Sequence, residues 1–206
     1  MIPIQFITHK TDLYSYEESA ELALKGGCKW IQLRIKDVSD EEVEPVAYRI
    51  QELCKKNEAT FIIDDRVELA KKLKADGVHL GKNDMPLNEA RKLLGESFII
   101  GGTANTFEEV KNCYRSGADY LGIGPFRYTE TKKNLAPILG LDGYRHIIKC
   151  MEKEMIRIPI CAIGGIRYED VSDILRTGVQ GIAVSGCILN AKSPEEEMYR
   201  MLHIDE

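Results

Sequence analysis

Short β-branched runs alternate with longer segments of helical period along the whole of this chain, and no low-complexity stretch or Pro/Gly/Ser linker interrupts the alternation. The eight runs are IQFIT (4–8), WIQLRI (30–35), TFIID (60–64), GVHLG (77–81), FIIGGT (98–103), YLGIG (120–124), PICAIGG (159–165) and GIAVSG (181–186). A helix candidate follows each. Ser39 ahead of DEEVEPVAYRIQELCKK offers an N-cap, and Val171, Ile174 and Leu175 recur at helical spacing in RYEDVSDILRTG. KGGCKWIQL, KADGVHLG, SGADYLGIG and TGVQGIAVSG each join a glycine suited to a helix C-terminus to an apolar strand, which marks a recurring βα unit.

Strands separated by crossover helices must be largely parallel. Eight such units in 206 residues fit a compact single-domain (β/α)₈ TIM barrel over residues 1–206, with few insertions for a fold that typically runs to about 250 residues. An open doubly wound sheet is the alternative, but it would favour a Gly-rich first βα turn, and THKTDLY does not supply one.

The composition, 44% apolar and 30% charged, is that of a globular protein, and the formal charge of −5 argues against a nucleic-acid binder with a broad basic surface. Any anionic partner is therefore expected to be small. Six scattered cysteines without a C-x-x-C pair suit buried apolar positions in a reducing compartment better than disulfides or zinc. MIPIQFITHK lacks the pattern of a secretory signal, and no apolar run approaches the roughly 20 residues needed to cross a bilayer. The expectation is a cytoplasmic protein with small-molecule partners, without nucleic acid or membrane, and with self-association left open.

In a barrel, functional groups gather beyond the C-terminal ends of the strands. Arg34 and Lys36 end strand two, Asp64 and Asp65 strand three, and Thr103 and Asn105 strand five, with Asp84 in GKND after strand four. Thr129, Thr131, Lys132 and Lys133 follow strand six, while strands seven and eight end in Gly164-Gly165 and Ser185-Gly186. Period two places Gln32, Arg34 and Lys36 on one face of WIQLRIKD and Ile31, Leu33 and Ile35 on the other, a pattern that an exposed edge strand also produces.

Asp65 and Asp84, from adjacent loops, could converge on Mg²⁺, which favours oxygen ligands; they could equally cap the helices that follow. Arg34, Lys36 and Lys132 at one mouth repel unless an anion sits among them, though Lys132 in TETKK also suits a solvated loop. Glycine turns at strands seven and eight let backbone amides approach a phosphate, or simply allow close packing. Two anion sites in one mouth suggest a diphosphate and a monophosphate as a substrate pair.

QLRIKD, IDDRVELA, ADGVHLGKND, GADYLGIGPFRYTETKKN, PICAIGGI and GIAVSGCIL occur in the order seen in the thiamine phosphate synthase (thiamine-phosphate pyrophosphorylase) family, which this chain resembles from about residue 4 to about residue 190. The resemblance implies a (β/α)₈ transferase that joins 4-amino-5-hydroxymethyl-2-methylpyrimidine diphosphate to 4-methyl-5-(2-phosphoethyl)thiazole, giving thiamine phosphate and diphosphate. It further implies that Gln32 contacts the pyrimidine, that Arg34, Lys36, Thr103 and Lys132 hold the diphosphate, and that Asp65 and Asp84 bind Mg²⁺. Thr129 and Thr131 would line the thiazole side, and Gly165, Ser185 and Gly186 would surround its phosphate. The 127–141 loop is a candidate lid.

Three positions depart from the family pattern: Ile35 stands where glutamate is usual, Asp64 where asparagine is usual, and Gly186 where serine is usual, with Ser185 one place earlier. An ionised Asp64 cannot donate to diphosphate, so it either joins the metal shell or weakens diphosphate binding. A related barrel, the thiazole tautomerase, carries a histidine after strand five, where this chain has Asn105; His9 and His79 are expected to be a rim residue and a hydrogen-bonded barrel histidine. A non-catalytic phosphate-binding barrel and a metal-independent sugar-phosphate isomerase are further rivals. The second would leave the paired acids without a task.

Overall fold

The computed structural model describes residues 3–128 and 137–204. All eight expected strands form, each beginning within one residue of its expected start: β1 (Ile4–Ile7), β2 (Trp30–Leu33), β3 (Thr60–Asp64), β4 (Gly77–Leu80), β5 (Ile99–Ala104), β6 (Tyr120–Ile123), β7 (Ile160–Ile163) and β8 (Gly181–Val184). Neighbours pair in parallel in chain order, and β8 returns to β1 to close the barrel. Closure leaves no edge, so the edge-strand explanation of WIQLRIKD is overturned: β2 is paired on both sides.

Strand alternation then separates two environments. Ile4, Phe6, Ile31, Leu33, Phe61, Ile63, Val78, Leu80, Leu121 and Ile123 join helix side chains in one buried cluster. The opposite parity fills the barrel, and small residues there make room for large ones: a Cβ on Gly101 would fall 2.3 Å from the Tyr120 ring. Gln5 and Gln32 are buried polar residues of this parity, as are Asp64 and His79, and each is hydrogen-bonded within the interior.

The main helices are α1 (Tyr16–Lys25), α2 (Asp40–Lys56), α3 (Val67–Leu73), α4 (Leu87–Leu94), α5 (Phe107–Arg115), α6 (Gly140–Lys153), α7 (Val171–Leu175), α8 (Gly186–Leu189) and α9 (Pro194–Leu202). Ser39 caps α2 as expected, through a reciprocal box with Glu42, and Ser15 with Glu18 and Thr106 with Glu109 do the same for α1 and α5. One glycine expectation needs correction. In KADGVHLG the left-handed residue that ends the helix is Lys74, whereas Gly77 opens β4, where a Cβ would lie 2.1 Å from the Ile99 carbonyl oxygen. Among the described residues no helix is long and apolar enough to cross a membrane.

Candidate active site

β2 ends at Leu33, so Arg34 and Lys36 lie in the loop just beyond the strand rather than at its end. The alternation nevertheless carries through. Thr8 Oγ1 accepts a hydrogen bond from the Arg34 amide at 3.1 Å, which holds the first loop residue against β1. From the next strand, Asp64 sits between the two cations: its Oδ2 lies 3.4 Å from Arg34 Nε and 3.3 Å from Lys36 Nζ, while its Oδ1 accepts from Gln32 Nε2 at 2.7 Å. Lys36 also bonds to Asp65.

Neither Asp65 nor Asp84 caps a helix. The N-cap positions of α3 and α4 are Arg66 and Pro86, both without a side-chain cap, so the capping alternative is overturned. Asp65 instead adopts a left-handed φ of 66°, a conformation that costs a side-chain-bearing residue energy, and its carboxylate lies against the Asp84 carboxyl, which donates to it only when protonated. Asp84 is held in turn by the Gly81 amide at 2.7 Å.

The electrostatics follow from this crowding. Burial pushes Asp64 up to about 6, with the Asp65 charge adding to it against Lys36 and Arg34. Asp84 is raised by burial and by the hydrogen bond to Asp65. Burial works to raise Asp65 as well, but the bonds from Asp84 and Lys36 outweigh it and the carboxyl is lowered. Burial also opposes the charge on Lys36, and its two carboxylate neighbours overcome that and raise it.

Arg34 and Lys36 are thus countered by carboxylates, and mutual repulsion between them does not by itself demand an anion. Among the described residues the excess charge, with every carboxyl ionised, is negative: three aspartates face two cations. Two carboxyl groups brought this close mark a place where a divalent ion could sit, and the donor set is all oxygen, as Mg²⁺ prefers. Asp65 and Asp84 therefore fit a magnesium site that takes its remaining ligands from water and substrate. Among the described residues no cluster of three or more His, Cys, Asp or Glu side chains could hold a metal by itself.

Thr103 projects from β5 into the same interior, with its Oγ1 2.9 Å from His79 Nε2. The other ring nitrogen of His79 lies 3.1 Å from the Tyr120 hydroxyl, to which Gln5 also donates at 2.9 Å. His79 is therefore a hydrogen-bonded barrel histidine, as expected. Asn105, where a tautomerase would carry histidine, donates to the Gly124 carbonyl and lies next to the capping box of α5.

At the far side of the mouth Gly164 and Gly165 take φ values of +99° and +68°, and Ser185 precedes Gly186 at the start of α8. Among the described residues the amides of Gly165 and Gly186 have no backbone acceptor. Thr129, Thr131 and Lys132 lie outside the described residues, as do Lys133 and the centre of the lid candidate. The stem of that loop is tied down. Leu139 N donates to Pro125 O at 2.9 Å, and Arg127 N donates to Gly164 O at 2.9 Å.

Two positioning residues escaped the sequence reading. Arg66 donates to the carbonyls of Ile35 and Val38 at 3.0 and 2.8 Å and pairs with Asp40, fixing the loop that carries Lys36. Arg127 clasps Asp170 at 2.9 and 2.7 Å and donates to Gly165 O at 2.9 Å. The position of Arg66 directly after the aspartate pair was the available signal for it; Arg127 offered none, because its partner is 43 residues away.

Known proteins resemble this chain over most of its length. A thiamine monophosphate synthase family model matches residues 4–188. A thiamine-phosphate synthase of Bacteroides fragilis is 64% identical over 99% of this chain and 100% of its own, and one of Flavobacterium psychrophilum is 49% identical over 93% of each. The solved thiamine phosphate pyrophosphorylase of Pyrococcus furiosus superposes with a TM-score of 0.87 at 34% identity, covering 98% of this chain and 95% of that one. With the model match spanning most of the barrel, the chain belongs to the thiamine monophosphate synthase family.

Proposed function

We propose that this protein condenses 4-amino-5-hydroxymethyl-2-methylpyrimidine diphosphate with 4-methyl-5-(2-phosphoethyl)thiazole, releasing diphosphate. The observation that carries this reading is the meeting of Arg34, Lys36, Asp65 and Asp84 at the end of the barrel that also holds the Gly165 and Gly186 amides. One end suits a diphosphate with its metal and the other a monophosphate.

Arg34 and Lys36 would hold the diphosphate oxygens and gain interaction energy as the bond from the pyrimidine methylene to oxygen breaks and its electron pair leaves with diphosphate. Thr103 would add a hydroxyl donor, and Lys132 a further cation. The methylene carbon then accepts the lone pair of the thiazole nitrogen, so no side-chain nucleophile or base is needed. Gln32 would orient the pyrimidine. Thr129 and Thr131 would line the thiazole side, and Gly165, Ser185 and Gly186 would seat its phosphate, so that both rings meet in line. Magnesium, held by Asp65 and Asp84, would supply Lewis-acid stabilisation of the leaving group.

The metal-free protein should release no diphosphate. Addition of Mg²⁺ should start release only when both substrates are present. Folded protein that stays inactive with all three components would rule out the synthase reading, while binding of thiazole phosphate without any turnover would favour a non-catalytic barrel.

A further inference from the structure

Two buried polar rings inside the barrel, Tyr120 and His79, have no part in the proposed chemistry. His79 is in register with Gly101 on β5, and Gly101 with Tyr120 on β6, so glycine separates the two rings along one row of the barrel wall. A Cβ on Gly122 would lie 3.2 Å from His79 Cε1, and one on Gly101 would meet the Tyr120 ring. The space that these glycines leave is filled by side chains from β1, β6, β4 and β5 joined end to end. Gln5 Nε2 lies 2.9 Å from the Tyr120 hydroxyl, that hydroxyl 3.1 Å from His79 Nδ1, and His79 Nε2 2.9 Å from Thr103 Oγ1. The first three residues are buried, whereas Thr103, two residues beyond Gly101 toward the mouth and in register with Gly122, is only partly buried.

In such a chain the direction of donation is set at one end and carried to the other. The Gln5 amide nitrogen can only donate, so the Tyr120 oxygen accepts from it and turns its single hydrogen to His79 Nδ1. An imidazole that accepts at Nδ1 carries its hydrogen at Nε2, and that hydrogen goes to Thr103 Oγ1. Thr103 thereby accepts from below, and its own hydrogen is left to turn toward the mouth. The reverse order, begun by a Gln5 carbonyl, would commit the Thr103 hydrogen to His79 and leave only lone pairs for the mouth. A proton on both ring nitrogens would break the chain as well, since Tyr120 would lose His79 as its acceptor.

We infer that Gln5, Tyr120 and His79 are positioning residues: together they hold His79 as the tautomer with its hydrogen on Nε2, so that Thr103 offers its hydroxyl hydrogen to an oxyanion at the mouth. A hydroxyl already committed as a donor binds an oxyanion without first giving up another acceptor, whereas one turned the other way meets it lone pair to lone pair. That the anion is a diphosphate rests on the synthase reading. The tautomer and the direction of the hydroxyl do not.

Nitrogen NMR of histidine-labelled, metal-free protein at pH 8 reads the tautomer directly, with the His79 signals assigned by replacing His9, His146 and His203 in turn. The wild-type ring should be neutral with its hydrogen on Nε2, and Tyr120→Phe should populate both tautomers. A wild-type ring with its hydrogen on Nδ1, or evenly divided, would overturn the inference. Calorimetry with inorganic diphosphate and Mg²⁺ then measures the consequence in wild type, Thr103→Val, Tyr120→Phe and the double variant. Thr103→Val should weaken binding about tenfold and Tyr120→Phe about threefold, each within the range of one hydrogen bond. Tyr120→Phe should add nothing once Thr103 is valine. No loss in either single variant, or an equal loss from Tyr120→Phe in the Thr103→Val background, would overturn the inference, the latter by leaving Tyr120 a packing role alone. If Tyr120→Phe does not fold, the wild-type tautomer decides. Diphosphate release by wild type from the two proposed substrates reports separately on the synthase reading.

Discussion

Asp64 concentrates most of the tension in this molecule: a buried carboxyl shares one small space with a second acid, a glutamine amide and two cations. Burial and Asp65 together raise it from 3.8 to about 6. A carboxyl raised on folding binds more protons in the native than in the unfolded chain, so the stability it contributes is full below about pH 4 and is lost as pH rises through about 6. In metal-free protein, the melting temperature of Asp64→Asn relative to wild type should therefore climb between pH 4 and 7 and level off above, by the equivalent of roughly 1–3 kcal/mol. Melting curves of both proteins across that range decide it. A difference that shrinks with rising pH would mean that Arg34 and Lys36 outweigh burial.

The turn after β7 is closely constrained, with two successive glycines at positive φ. Gly165 sits at a φ of +68°, where a side chain costs roughly 1–2 kcal/mol, and a Cβ there would lie 3.0 Å from Tyr128 O and 3.1 Å from Arg127 Cβ. Alanine at this position should push on the loop stem that Arg127 anchors through Asp170 and should turn the Gly165 amide away from the proposed thiazole phosphate site. We expect Gly165→Ala to raise KM for thiazole phosphate about tenfold, the equivalent of about 1.4 kcal/mol, and to leave KM for pyrimidine diphosphate within a factor of about two. Steady-state kinetics with each substrate varied in turn separates the two. Equal changes in both would place Gly165 outside the thiazole phosphate site.

At the scale of the whole molecule, closure joins the two ends of the chain, because β1 pairs with β8 and α1 packs on α9. Gly26, just after α1, has an ordinary helical φ of −72°, so backbone strain does not require glycine there. Space does. A Cβ would lie 2.6 Å from Glu195 O and 2.7 Å from Met198 Cβ, both on α9. Gly26→Ala should therefore force the last helix outward and cost about 1–3 kcal/mol, with the melting temperature falling by roughly 2–4 °C per kcal/mol for a chain of this size. Diphosphate release measured well below the transition should survive, since the contact lies at the opposite end of the barrel from the mouth. An unchanged melting temperature would show that α9 yields without cost.

The alternation of strand and helix and the inward parity of Gln32 were legible in the chain itself, as was the clustering of polar residues after strand ends, because each depends on near neighbours and on a period of two or 3.6 residues. Ser39 likewise declared itself as a cap by its place before an acidic first turn. What no local pattern could supply was pairing across the fold. The aspartates at 65 and 84 suited helix caps as well as they suited a metal, and only the folded loops, which place Arg66 and Pro86 at the N-caps, remove the first of these roles. Arg66 on the Lys36 loop, Arg127 on Asp170, and the Gln32 amide on Asp64 are contacts over 26 to 43 residues, made by side chains whose partners depend on barrel closure. Burial then decides their charge, since the same aspartate ionises readily in water and reluctantly among its neighbours in the closed barrel.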